Sequence, residues 1–208
     1  MHNYQLRDDI HIIPTPLGAY YATSSPKFGP ARELILGMMA SDSTQTVSAE
    51  TLRRYTGSAD PLQLLYRMES VRWIKGLAEA ERLAALHIEA DVPHLLGQLS
   101  SSGMALLADV QGFYLVYEGF SPELAEKLAI FAAEVAVIQS KHAELIQSGF
   151  QLSTPAMAVV DNSGFSELGF WPLYIGEYKF MLVVSGMPHF EREAYMHLIW
   201  SLCRRYNN

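Results

Sequence analysis

The chain has 208 residues, half of them hydrophobic, with 15 Lys and Arg against 22 Asp and Glu, a formal net charge of −7. That length holds one large domain or two small ones, and the apolar share is ample for a core. Residues 1–82 carry nine basic and nine acidic side chains, whereas residues 83–208 carry six against thirteen, so the second half is acidic and repels nucleic acid.

Residues 1–9 contain no apolar run of the kind that opens a secretion signal. Gly29-Pro30 leads into a short apolar helix, residues 31–40. Ser48 is placed to cap a second helix over 48–57, which Gly57 ends. Asp60-Pro61 starts a third, with Asp60 as N-cap and Pro61 at the first helical position. A strand over 71–77 and a return strand over 82–90 come next. Residues 88–93 then read as a linker, with Asp91 placed to cap the following helix.

From Pro93 to Tyr206 the order is helix, two strands, long helix, three strands, helix. The strands span 104–110, 113–119, 156–161, 167–176 and 179–186, with turn residues between the members of each hairpin. The long helix spans 121–148, with Ser121 as N-cap, Pro122 at its first position, Glu123 in its first turn and Gly149 past its end. Leu124, Leu128, Phe131, Val135 and Ile138 form one apolar stripe on it. Ala129, Ile130, Ala133, Ala136 and Val137 form a second beside the first. One stripe covers a sheet, so the other predicts an interface.

The segment Gly103-Met-Ala-Leu-Leu-Ala-Asp109-Val-Gln-Gly112-Phe113, with the long helix after it, resembles the first hairpin and helix of the roadblock family of dynein light chains and bacterial GTPase regulators. The resemblance covers roughly residues 91–208 and implies a profilin-like α-β-β-α-β-β-β-α unit with a five-stranded antiparallel sheet. It also implies homodimerisation through the long helix and the following strand, and binding of a small Ras-like GTPase by a protein that is not itself an enzyme. Leu124, Leu128, Phe131, Val135 and Ile138 are then the dimer-interface residues. Glu126, Glu134, Lys141 and Glu144 are candidate GTPase contacts. Residues 1–90, three helices and a hairpin, resemble a winged helix-turn-helix with an N-terminal extension. The fold class expected is thus α+β, with two domains, 1–90 and 91–208.

A winged helix can bind DNA, with Gln63, Arg67, Arg72 and Lys75 as the candidate nucleic-acid contacts. From Arg53 to Lys75 five basic residues face two acidic ones, a thin footprint for phosphates. The alternative function is therefore a DNA-binding regulator that the roadblock-like half dimerises. A third reading makes the C-terminal unit a small-ligand sensor lined by Phe113, Phe170, Trp171 and Tyr174.

Catalytic signatures are missing. No phosphate-binding glycine loop, dinucleotide fingerprint, zinc-protease motif or paired C-x-x-C occurs. His87, Glu89, Asp91 and His94 straddle the linker, and Glu193 and His197 stand one helical turn apart; both patterns are more ordinary as side chains solvated by water or paired with each other than as metal ligands. Ser24 and Lys27 match a Ser-x-x-Lys string, but Pro26 forbids the helix that chemistry needs. The single Cys203 rules out an internal disulfide and reads as a small buried apolar residue. No cofactor or metal is expected, and the composition fits a cytoplasmic protein.

Overall fold

The computed structural model describes residues 10–46, 52–53, 60–82, 86–150 and 154–207. Most of the expected helix over 48–57 and the first nine residues lie outside them. Among the described residues no helix is long and apolar enough to cross a membrane.

The C-terminal half folds as its order predicts. Helix α4 (Ile88–Gln98) precedes strands β4 (Ala105–Asp109) and β5 (Tyr114–Glu118). Helix α5 (Pro122–Lys141) and a single π-helical turn (Leu145–Gly149) come next. Strands β6 (Met157–Val160), β7 (Ser166–Ile175) and β8 (Tyr178–Ser185) and helix α6 (Glu193–Tyr206) complete the chain. The five strands form one antiparallel sheet in the order β5-β4-β8-β7-β6. Both edge hairpins turn on the same wording, Asp-x-x-Gly-Phe. The Oδ1 of Asp109 accepts the backbone N–H of Gln111 and Phe113, and that of Asp161 accepts those of Ser163 and Phe165. Gly112 and Gly164 take φ of 97° and 85°, a left-handed conformation that suits glycine.

Side chains alternate across the sheet, as the two-residue period of a strand requires. Leu106, Ala108, Phe170, Met181 and Val183 face α5. Ala105, Leu107, Leu173, Phe180, Leu182 and Val184 face α4 and α6. The molecule is therefore layered, with one helix on the first face of the sheet and two on the second.

Earlier in the chain lie β1 (His11–Pro14), α1 (Pro16–Thr23), α2 (Pro30–Met39), β2 (Gln45–Thr46), α3 (Pro61–Ser70) and β3 (Ile74–Leu77). Helices α2 and α3 stand where their prolines and caps predict, and Asp60 accepts the N–H of Gln63. The winged-helix order is not shown. Strand β3 pairs with β1 from the start of the chain, in the sheet order β2-β1-β3. The expected return strand over 82–90 is corrected for its described residues. Arg82 makes one bridge to Ser43, and residues 88–90 form the first turn of α4. Ile88, Val92 and Leu96 recur at steps of four and are all buried, so the helical period prevails there. Asp91 consequently lies inside α4 instead of capping it, although its Oδ2 accepts the N–H of His87 at 2.7 Å.

The expected boundary at residues 90 and 91 falls within α4, and core residues from both sides of it form one buried cluster. Ile13, Leu34, Ile35 and Met39 share it with Tyr195, Ile199, Trp200 and Cys203. Specific contacts sew α1 and α2 to α6. The Tyr195 hydroxyl meets Thr23 Oγ1 at 3.2 Å, and the Trp200 indole N–H donates to the Ser41 carbonyl at 2.8 Å. Gly18 in α1 lets the backbone of Trp73 approach so closely that a Cβ there would fall 2.0 Å from the Trp73 carbonyl oxygen.

Candidate protein-interaction surface

Helix α5 starts where Ser121 Oγ accepts the N–H of Leu124, with Pro122 at its first position and Lys141 in its last turn. Ala125, Ala129, Ala132 and Ala136 bring its axis close to the sheet, and Leu128 and Val135 fill the gaps between them. The expected interface stripe therefore divides. Leu128 and Val135, 8% and 6% exposed, are packed against the sheet and are not available to a partner. Leu124, Phe131 and Ile138, 44%, 41% and 49% exposed, recur every seven residues on the outer side. Ile130 and Val137 lie beside them, more than half exposed. At 3.6 residues per turn all five lie within an arc of about 80°, so the division comes from how α5 is rotated on the sheet, which puts the margin of the buried face between the two sets.

Charged residues share this outer side. Lys127, Glu134 and Lys141 also recur every seven residues and are exposed, as are Glu126 and Glu144. Lys127 Nζ meets Glu123 Oε1 at 2.6 Å, an exposed pair of small energetic weight.

Strand β6 extends the apolar surface. Among the described residues it pairs only with β7, and Ala158, Val159 and Val160 are exposed, so they leave an apolar edge strand uncovered. It is contiguous with the helix. The Phe131 ring stands edge-on to Phe170 at 5.1 Å, and Phe170 pairs with Met157 of β6. The roadblock resemblance implies the strand after the helix but names no residue in it, although the four apolar residues of 157–160 in a row are a visible signal.

The candidate nucleic-acid contacts are less coherent. Arg67 and Arg72 are exposed near the end of α3, and Arg72 takes φ 59° as the chain turns into β3. Gln63 is half-buried one turn earlier, and Lys75 on β3 meets Glu193 at 3.5 Å. The four aromatic residues of the sensor reading do not line one pocket. Phe170 faces α5, Trp171 faces Phe190 on the opposite side of the sheet, and Phe113 projects from a turn. No group of three His, Cys, Asp or Glu among the described residues could hold a metal.

Cys203 is fully buried, and burial pushes its thiol pKa up; the same cause raises the phenol of Tyr195. A thiol held protonated is a poor nucleophile. Both groups bind their protons more tightly folded than unfolded, so their stabilisation is complete below the unfolded values and is lost as pH rises past them. Thermal stability is expected to fall above about pH 8.5, where an unfolded thiol ionises, and more steeply above about pH 10, where tyrosine does. Melting curves of Cys203→Ala should lose the first of these slopes; an unchanged slope between those two values would exclude Cys203 as its source.

No family model matches the chain, and no curated protein does. Among solved structures, the chain is similar to a crystal structure of a Roadblock/LC7 domain from Streptomyces avermitilis. The identity is 14%, over 53% of this chain and 86% of that one, with a TM-score of 0.34. Likeness at that level supports neither a family assignment nor a function.

Proposed function

We propose that this chain is a non-enzymatic regulatory or scaffold protein that homodimerises through the outer side of α5 and the edge of β6, and that binds a small Ras-like GTPase. The observation that carries the dimer is the continuous apolar surface formed by Leu124, Phe131, Ile138 and β6. A helix packed on one sheet needs only one apolar face, and this one has two. An open edge strand beside it lets a second copy extend the sheet around a twofold axis. The GTPase reading rests on the resemblance of the Gly103–Phe113 hairpin and the helix after it to the roadblock family, together with the exposed Glu126, Glu134, Lys141 and Glu144.

Light scattering on the purified chain should give twice the chain mass, and a pull-down from native extract with a GTP analogue or GDP should retain a small GTPase in one nucleotide state. A monomer at every concentration would overturn the dimer. Retention of no GTPase in either state would overturn the partner.

A further inference from the structure

We propose that the cleft between the start of α4 and the last turns of α6 binds a small zwitterion of the α-amino acid class, a site separate from the α5 surface. The cleft encloses about 400 Å³ and is walled by three parts of the chain, residues 81–82, residues 86–89 and α6. Four charged side chains line it and are exposed: Glu81 and Glu89, Arg82 and Arg205. None of the four makes an ion pair among the described residues. The remaining arginine there, Arg204, is already neutralised by Asp42. Opposite charges that face one cavity without pairing suit a ligand carrying both signs. A plain anion would meet two carboxylates, and a plain cation two guanidinium groups.

A second observation points to a missing ligand. Ser201 lines the cleft, is 8% exposed, and its Oγ is buried without a hydrogen-bond partner. Buried hydroxyls are ordinarily satisfied, because an unmade bond leaves their desolvation uncompensated. Turning Ser201 to another staggered χ1 would bring the hydroxyl into the cleft, where a ligand carboxylate or ammonium group completes it. The apolar lining sets the ligand's side chain. Leu86 and Ile88 offer carbon surface, and the indole N–H of Trp200 is spent on the Ser41 carbonyl, leaving its ring as apolar wall. The amino acid that fits is therefore one with an aliphatic or aromatic side chain.

The common L-amino acids are first screened by thermal shift on the full chain. The strongest is then titrated calorimetrically as the free zwitterion, as its N-acetyl derivative and as its amide. Saturable binding of the zwitterion is expected, weakened at least about tenfold by removal of either charge. Arg205→Ala and Glu89→Gln alter exposed side chains outside the core, and each should weaken binding about tenfold while leaving the melting temperature of the free protein unchanged. Lack of stabilisation by any amino acid at millimolar concentration would overturn the proposal. So would equal binding of the N-acetyl derivative, which marks a plain anion site, or of the amide, which marks a cation site. None of these outcomes bears on the oligomeric state, so this site and the α5 surface stand or fall separately.

Discussion

Replacing Arg32 by alanine is expected to lower the melting temperature by roughly 6–12 °C, a loss of about 3 kcal/mol in a chain of this size. Arg32 is 9% exposed and has no carboxylate partner among the described residues. Its guanidinium instead donates to three backbone carbonyls, Ala22 at 3.0 Å, Lys27 at 2.6 Å and Tyr21 at 3.1 Å. It also lies over the Tyr21 ring, which stacks on Trp73. Two of those carbonyls belong to the last turn of α1, where a cation also opposes the helix dipole. Truncation leaves acceptors unsatisfied and opens a void at the corner where α1 turns into α2. Arg32→Lys should recover little, because an ammonium group cannot reproduce a planar fork reaching three oxygens. A drop of less than about 2 °C for Arg32→Ala would show that water replaces the guanidinium at little cost.

Ile138→Glu is expected to weaken the dimer by about 3 kcal/mol, more than a hundredfold in Kd, while leaving the stability of the monomer nearly unchanged. Ile138 is half exposed in the single chain, so a carboxylate there remains solvated before association. In a twofold dimer the substitution occurs twice, and each carboxylate must lose water against apolar surface. Sedimentation or light scattering across a dilution series reads the dissociation constant directly. Val135→Glu is the contrasting variant, because Val135 packs against the sheet and its replacement should unfold the chain outright. A dimer of unchanged affinity in Ile138→Glu would move the interface elsewhere.

Much of the C-terminal architecture was legible because its signals are local. The Ser121-Pro122 start of α5, the glycine turns at 112 and 164 and the alternation of β4, β7 and β8 are each written within a few residues. The N-terminal part was read less well. Strand β1 is four residues long and ends at Pro14, so it carries too little pattern to announce itself. Its presence decides the partner of β3 among the described residues, and the hairpin that a winged helix requires is not shown there. Helix α1 did leave a signal, Thr15-Pro16, with Thr15 Oγ1 accepting the Gly18 N–H at 3.1 Å.

The candidate sites divide in the same way. Composition and periodicity alone determined that α5 carries more apolar surface than one sheet can cover, since that is a count of side chains around a helix. Which of those side chains stay outside was decided by the tertiary structure, because the rotation of α5 on the sheet depends on the close approach of its alanines to β4 and β8. The cleft between α4 and α6 could not be read at all. Residues 81–82 and 86–89 lie more than a hundred positions from 197–205, and only packing of the two helices on one sheet face makes them neighbours.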